Sequence, residues 1–489
     1  MPENKPTAPD TAIRLTSPNH TPVSFSVLVQ ESLHQSPAGY TFEVTSPDLL
    51  SGVGKTCFYY LNGNDHLAYL NLFAKLARDF NMRLPQNRQE KQIKPTFKAP
   101  LRAVLKTAVH PEILYGYGDP AVIRVDTAGS SCYYVVATSN DAPNAFPLLR
   151  SRNLQDWEFV KFIFPAGKTP EWATAGPLIS DYWAPEMHLI QNQYHIYFVA
   201  RDKNTHELCI GKAQSDNPEG PFVPDKKPVL RGNVIDPHVY VQDAETAYLY
   251  WKEDNNAIWP GLLLDVLYHH PDLIATLFNE GPDQITTAFI CTLWPWAKDR
   301  EPMERFLITQ IVIEAVTERY LLFYEQLAAL SQYQTPALQT QIREVLRFMK
   351  TPVYAQQLAP DGKSLVGERF KIIQNDLAWE AHLVEGVWVT KQGTHYYLFY
   401  AGNDFSTDQY GIGVAIADLP IGPYRKMAVP VLQSTAEWWA PGHPSVVKDP
   451  AGKPVLILHA YYPEQAGYKE FRAMLAVNLI FNPDHVLLA

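Results

Sequence analysis

Apolar and polar residues alternate along most of the chain after about residue 112. Short runs such as SCYYVVATS, YHIYFVARD and HYYLFYAGND are rich in Tyr, Val and Leu, and polar turns separate them. β-Branched and aromatic residues at this spacing are typical of strands in a sheet with at least one buried face. The pattern therefore predicts a mainly β structure for residues 112–489.

The predicted strands recur in five related units of about four strands each. The units begin at Asp119, Trp183, Asp236, Glu385 and Ala440. In two units the near copies NPEGPF and LPIGPY stand in equivalent places before the fourth strand. Four short strands repeated at roughly 50-residue spacing indicate a β-propeller. A β-sandwich would not explain why the repeats restart in phase, so we predict a five-bladed β-propeller over residues 112–489.

Two regions depart from this pattern. Residues 258–350 interrupt the third unit and have apolar positions at helical spacing, which predicts an α-helical insertion in the third blade. Thr335 is the expected N-cap of its last helix, directly before Pro336. Residues 1–100 are expected to form an N-terminal accessory region that has strands and one helix and ends in a polar linker. We expect its first 20 or so residues to be disordered.

Composition excludes several classes of partner. The net charge is −10 and no basic patch carries interleaved aromatics, which argues against binding to nucleic acid or an anionic membrane. The four cysteines form no CxxC pair, so neither a zinc site nor a disulfide framework is expected. The first residues lack the apolar core of a secretion signal, and the apolar runs are shorter than a membrane span. We therefore expect a cytoplasmic protein, with the apolar helical insertion as a candidate homo-oligomer contact.

The candidate chemistry lies in three acidic residues that open repeat units, Asp119, Asp236 and Glu385. The first strand of each propeller blade lines the central channel, so these side chains are expected to converge at one mouth. Asp-Pro alone is typical of turns, but Glu385 stands in the same place without a proline. Converging carboxylates repel, so at least one should hold its proton more tightly. A carboxyl pair with separated pKa values can cleave a glycosidic bond by acid and base catalysis.

Four further residues are candidates for the substrate pocket. Trp183 and Glu186 begin the second unit, where the tryptophan could stack on a sugar face and the glutamate could hold hydroxyl groups. Both could equally be structural. Trp439 directly precedes the last unit and could also stack on a sugar ring. Phe146 lies in the loop after the first hairpin and is a further candidate for the pocket.

Seven motifs of the repeat region resemble glycoside hydrolase family 43, the five-bladed propeller glycosidases. They are GYGDPAV at 116–122, RSRNLQDW at 150–157, WAPE at 183–186, VIDPHVY at 234–240, YAQQLAPDGKSLVGE at 354–368, VEGVWV at 384–389 and PGHPSVV at 441–447. Their order and spacing fit once the insertion is removed. The chain departs from the family at Val387, where many members have proline. The N-terminal 100 residues and the insertion have no counterpart that the resemblance covers.

The resemblance implies an inverting hydrolase that acts on pentose-containing plant oligosaccharides, as an α-L-arabinofuranosidase or β-xylosidase. Asp119 would be the general base and Glu385 the general acid, while Asp236 would raise the pKa of Glu385 and orient it. His443 matches a family histidine near the channel centre, which lies in the substrate site and often close to a calcium ion. No cofactor is then required, and a structural calcium near His443, held through water, is an expectation.

Two other functions stay open at this stage. One is a related propeller glycosidase with another substrate, such as a galactoside. The fructan-cleaving families rank lower, because their WMNDPNG-like start and RDP signature are absent from the sequence. The other is a carbohydrate-binding propeller without catalytic activity, which the presence of all three carboxylates argues against.

Overall fold

The structure, a computed structural model, describes residues 12–32, 39–47, 53–62, 66–85, 95–127, 130–140, 142–175, 181–255 and 258–489. These residues form two compact units. One unit combines the described parts of Met1–Ile93 with Asn255–Met349, and the other combines Lys94–Asp254 with Lys350–Ala489. Strands contain 43% of the chain and helices 21%, which confirms the predicted mainly β class.

The second unit, within its described residues, is built from five antiparallel sheets of consecutive strands. The strands are β5 (Arg102–Leu105); β6 (Gly118–Thr127), β7 (Ser130–Thr138), β8 (Ala145–Ser151) and β9 (Trp157–Phe164); β10 (Trp183–Ile190), β11 (Gln193–Arg201), β12 (Leu208–Ser215) and β13 (Val223–Pro224); β14 (Val234–Val241), β15 (Ala247–Glu253), β16 (Val353–Leu358) and β17 (Leu365–Ile373); β18 (Val384–Gln392), β19 (His395–Gly402), β20 (Gly411–Ala417) and β21 (Arg425–Lys426); β22 (Trp439–Lys448), β23 (Pro454–Tyr461), β24 (Arg472–Phe481) and β25 (Val486–Leu488). Apart from β5, each sheet follows chain order from its first to its fourth strand.

The first strands of the five sheets are neighbours in a closed cycle. Strand β6 contacts β10 and β22, β14 contacts β10 and β18, and β18 contacts β22. Buried apolar side chains fill the spaces between successive sheets, as where Tyr250 of β15 packs with Val384 and Leu398 of the next sheet. Residues at corresponding positions of the first strands therefore lie close to one another.

Strand β5 joins the last sheet by pairing with β24, with Leu105 opposite Met474. Phe97 also forms a bridge to Thr435. The predicted start of this unit at residue 112 was therefore too late, since residues from 95 onward belong to it. The four residues of β5 are too few to show a two-residue period in the sequence.

All five first strands share one irregularity near their N-terminal ends. The pairing register with the second strand shifts there in every sheet. At the shift one residue has a positive φ angle, and these residues are Asp119 (51°), Ala184 (42°), Asp236 (57°), Gly386 (56°) and Ala440 (48°). A left-handed backbone costs a non-glycine residue about 1–2 kcal/mol, so its repeated use indicates a geometry that the fold requires.

The positive-φ residue of each first strand marks the same structural position, so the five strands can be aligned residue by residue. This alignment corrects one prediction. Glu385 precedes Gly386, so it stands one position before the place of Asp119 and Asp236. Its structural counterparts are Trp183 and Trp439. The prediction that all three acids open their strands in the same phase was wrong by one residue for Glu385, because the repeat spacing alone did not locate the bulge.

The first unit contains a four-stranded antiparallel sheet and seven helices among the described residues. Its elements are β1 (Ala12–Thr16), β2 (Ser26–Ser32), β3 (Gly39–Pro47), β4 (Gly54–Asn62), α1 (His66–Phe80), α2 (Trp259–His269), α3 (Asp272–Leu277), α4 (Gly281–Ala297), α5 (Pro302–Thr317), α6 (Tyr320–Ser331) and α7 (Pro336–Phe348). The predicted N-cap of α7 is confirmed, because the Thr335 side chain accepts a hydrogen bond from the Leu338 amide at 3.4 Å. Strand β1 shows that the expected disorder of the first 20 residues was wrong for residues 12–20; residues 1–11 lie outside the described residues.

The accessory region and the helical segment share one core. Phe25 packs edge-to-face on Phe289 of α4 with ring centroids 5.3 Å apart. The Arg83 guanidinium pairs with Asp283 at 3.0 Å and also with Glu318. These contacts join residues 200 or more positions apart, which no local pattern in the sequence encodes. The predicted accessory region and insertion therefore pack together as parts of one unit. In the described part of the chain, no helix has the length and hydropathy needed to cross a membrane.

Candidate active site

Asp119 lies at the bulge of β6 and is surrounded by hydrogen-bond donors and positive charge. Arg472 donates from Nη1 to Asp119 Oδ1 at 2.9 Å, and the Thr138 hydroxyl donates to Oδ2. His443 Nδ1 lies 3.4 Å from Oδ1. Burial acts to raise the pKa of Asp119, but the charges of Arg472 and His443 outweigh it and hold this pKa well below the usual aspartate range. The Asp119 carboxylate is therefore kept ionised.

Arg472 reaches Asp119 because the neighbouring residue is glycine. A Cβ atom at Gly118 would lie 1.8 Å from the guanidinium carbon of Arg472. Beneath the same carboxylate, His459 Nδ1 accepts a hydrogen bond from the Asp119 amide at 3.0 Å. Burial lowers the pKa of His459 to about 4, so this ring stays neutral and can accept that bond.

Asp236 lies at the bulge of β14 and is joined to the next sheet. Its Oδ2 accepts a hydrogen bond from the Gly386 amide at 2.8 Å, which holds it beside Glu385. Burial raises the pKa of Asp236 to about 7; His443 opposes the rise and the charge of Glu385 adds to it. The Asp236 carboxyl group therefore keeps its proton up to about neutral pH.

Glu385 precedes the bulge of β18 and has a donor on each carboxylate oxygen. Lys252 Nζ lies 3.1 Å from Oε2, and the Tyr410 hydroxyl donates to Oε1 at 2.8 Å. The Glu385 side chain keeps 13% of its surface exposed, so a substrate can still reach it. Two opposed donors fix the direction of the carboxyl group.

His443 lies among the acidic groups, on β22. Burial acts to lower its pKa, but the charges of Asp119 and Asp236 outweigh it and raise the pKa of His443. A hard cation prefers oxygen ligands, and the raised pKa of His443 favours the protonated ring, which cannot bind a metal through that nitrogen and repels a cation. The residues therefore do not fit a calcium ion bound directly by His443, and we assign no step to one.

Glu186 belongs to a closed hydrogen-bond network with two histidines. Its Oε2 accepts from His188 Nε2 and from His238 Nδ1, both at 2.8 Å. His238 Nε2 in turn accepts from the Val389 amide at 2.9 Å, which fixes the tautomer of His238. The three side chains are close enough to hold a metal ion, but each bond that a metal would replace is already made. Glu186 is 2% exposed, so it supports the channel wall and has little surface for sugar hydroxyl groups.

The predicted aromatic residues lie in two kinds of surroundings. Trp183 is half-buried and packs against Val199 and Leu208, and Trp439 is 5% exposed at the equivalent position of β22. Phe146 is fully buried in an aromatic cluster with Tyr182. The prediction of Phe146 as a pocket residue is therefore corrected, because its ring is enclosed by its own core and presents no face to a ligand.

Sequence reasoning missed five residues around the acids, namely Thr138, Lys252, Tyr410, His459 and Arg472. They lie on or beside second and third strands, where the repeat pattern predicts structural residues alone. Lys252 and Arg472 carried a signal, since each is a charged residue in an alternating strand and is buried in the structure. When the alternation of apolar and polar residues places a charged side chain on the buried face of a strand, that side chain needs a partner of opposite charge.

The fold and the site together define a class of enzyme. Carboxyl groups held in different protonation states at one site are the arrangement used for acid and base hydrolysis of glycosidic bonds. The sequence profile described as "Glycosyl hydrolases family 43" matches residues 110–267 and 342–487, which is more than half of the chain. The chain belongs to glycosyl hydrolases family 43. The residues between the two matched segments lie in the helical part of the first unit.

Individual relatives agree with this assignment. The chain is 43% identical over 81 residues to "Xylosidase/arabinosidase 43A" of Humicola insolens, an alignment that covers 17% of this chain and 23% of that protein. It is 24% identical over 302 residues to "Xylosidase/arabinosidase" of Bacteroides ovatus, covering 62% of this chain and 71% of that protein. Among solved structures, a thermostable family-43 glycoside hydrolase superposes with a TM-score of 0.52 at 22% identity, covering 76% of this chain and 92% of that one. This last match supports the fold.

Proposed function

We propose that the protein is an inverting glycoside hydrolase whose second unit is a five-bladed β-propeller with the catalytic site at the channel formed by the five first strands. One observation carries the proposal. Asp119 is held ionised by Arg472, while burial and the charge of the nearby Glu385 raise the pKa of Asp236 to about 7. One site thus holds a base that is ready to accept a proton and an acid that is ready to give one.

Asp119 acts as the general base in this proposal. Its carboxylate takes a proton from a water molecule, and the water oxygen attacks the anomeric carbon from the face opposite the leaving group. The donors from Arg472 and Thr138 keep the carboxylate in one orientation. Fixed orientation matters because the water must be held in line with the bond that breaks.

Glu385 acts as the general acid and gives its proton to the departing glycosidic oxygen. Asp236 supports it, because the negative charge of one member of the pair favours protonation of the other. The raised pKa is that of Asp236. In this proposal the proton that Glu385 holds when substrate is bound passes to the substrate oxygen beside it, and Glu385 becomes a carboxylate.

The substrate in this proposal is a terminal pentosyl residue of a plant oligosaccharide, either an α-L-arabinofuranoside or a β-xyloside. The names of the two relatives, each a xylosidase/arabinosidase, support this class. Trp183 and Trp439 hold on β10 and β22 the position that Glu385 holds on β18, and we assign these two side chains to contact with sugar rings.

A panel of 4-nitrophenyl glycosides tests the proposal. We expect turnover of the α-L-arabinofuranoside or the β-xyloside, and slower turnover of the galactosides. Release of nitrophenol is measured for the purified full chain, with the Asp119→Asn variant as the control for contaminating activity, because loss of the base should abolish turnover whatever group departs. A preference for a galactoside would replace the substrate class. Binding of pentosides without any hydrolysis would contradict the proposed enzymatic activity and would favour a carbohydrate-binding protein.

A further inference from the structure

Lys252 is a buried cation at a position where the repeating fold does not require a charged side chain. It lies on β15 opposite Ile235, directly before Asp236. Its side chain is 1% exposed, and its Nζ lies 3.1 Å from Glu385 Oε2 and 3.7 Å from Asp254 Oδ1. The corresponding positions of the other four sheets carry neutral side chains, which are Thr138, Val199, Ala401 and Tyr461.

The other four sheets therefore form with a neutral residue at this position, so the pairing of strands does not explain why β15 has a lysine there. Burial of an ammonium ion costs several kcal/mol unless a partner of opposite charge compensates it. Burial acts to lower the pKa of Lys252, but the charges of Glu385 and Asp254 outweigh it, so the side chain stays protonated. Its nearest charged partner is the carboxylate to which we assign the acid role.

We propose that Lys252 is a positioning residue that holds the Glu385 carboxyl group in place and stabilises the negative charge that this group gains as its proton leaves. The inference rests on the proposed function, because it takes Glu385 as the acid. As the proton moves from Glu385 to the glycosidic oxygen, the bond from that oxygen to the anomeric carbon breaks. Lys252 keeps its own protons throughout, and its attraction to Glu385 strengthens as the carboxylate forms.

Other groups also face Glu385 and act on the same equilibrium. They are Asp236 on β14, Tyr410 before β20, His443 on β22 and His382 before β18. Among them the Tyr410 hydroxyl donates to the other oxygen of Glu385 without adding a charge. Comparison of Lys252 with Tyr410 therefore separates the effect of a positive charge from the effect of a hydrogen bond.

The pH profile of kcat/KM gives the decisive test. A neighbouring cation lowers the pKa of a carboxyl group, so in Lys252→Met the alkaline limb should move up by about one pH unit or more. Lys252→Arg should leave the alkaline limb at its native pH. Tyr410→Phe should shift this limb by less than Lys252→Met does. The matched control is Lys212→Met. It also removes a buried lysine, but the partner of Lys212 is Asp225, whose Oδ2 lies 3.5 Å from Lys212 Nζ. It should leave the limb in place.

The leaving group gives a second readout that a merely structural role would not move. With Lys252→Met, kcat should fall about tenfold or more for an alkyl pentoside and much less for the 4-nitrophenyl pentoside, because a good leaving group needs little help from the acid. An unchanged alkaline limb together with equal losses on both substrates would overturn the proposal.

A third measurement separates this proposal from the proposed function. If the native protein hydrolyses no pentoside, the proposed function fails, and the thermal unfolding of Lys252→Met, Glu385→Gln and the double variant then tests the ion pair alone. The loss of Tm on replacing Lys252 should be larger in the native background than in the Glu385→Gln background. Additive Tm changes would overturn the role of Lys252 even if the enzyme is active.

Discussion

The variant Glu385→Gln should lose about a thousandfold in kcat/KM on a pentosyl oligosaccharide, within the range of 10²–10⁴ expected for a general acid. Glutamine keeps the shape of the side chain and can still accept the hydrogen bond from Tyr410, but it has no acidic proton to give. The loss should shrink strongly for an aryl pentoside with a good leaving group, such as 2,4-dinitrophenol, because that oxygen departs without protonation.

Steady-state kinetics on the two substrates measure this effect. Glu245→Gln is the matched control, since it makes the same change at an exposed turn of the sheet that carries Asp236. It should leave both rates unchanged. Equal losses of Glu385→Gln on both leaving groups would contradict the acid role, and full activity on the oligosaccharide would exclude it.

The variant Asp119→Asn should lose about a thousandfold or more in kcat/KM on both substrates alike, because attack by water needs the base whatever group departs. The amide cannot take a proton at any useful pH. The substitution also leaves the buried Arg472 without its carboxylate partner, so we expect a lower Tm as well. Circular dichroism at the assay temperature must therefore show that the variant is folded.

Asp126→Asn is the matched control for this prediction, because Asp126 is an exposed aspartate on the same strand, β6. It should keep native kinetics. The native enzyme should also keep its base ionised in mild acid, since the pKa of Asp119 lies well below the usual range and a base acts only when deprotonated. A loss of kcat/KM that depends strongly on the leaving group in Asp119→Asn would contradict the assignment of the base.

The sequence contained enough to find the repeat and its acids. Alternation of apolar and polar residues located the strands of the five sheets, and the Asp-Pro pairs pointed to Asp119 and Asp236. The alternation could not show the bulge in each first strand, because a bulge adds a residue without changing composition. For that reason Glu385 was placed one position too far along its strand.

Other parts of the structure depend on contacts between distant residues. Arg472 reaches Asp119 past Gly118, and the helical segment packs on the N-terminal sheet through pairs such as Arg83 with Asp283. Neither contact follows from local periodicity. The burial of Phe146 is similar, because its aromatic neighbours come from β9, from β11 and from the residue before β10.

The stereochemistry of the first sugar released tests the central claim most directly. Proton NMR during the first minutes of hydrolysis of a pentoside identifies the anomer before it equilibrates in water. An ionised Asp119 that activates water, with Glu385 as a separate acid, predicts a product of inverted configuration, with the two carboxyl groups about 6.5–9.5 Å apart. A product of retained configuration would require one of these carboxylates to attack the sugar directly and would contradict the account.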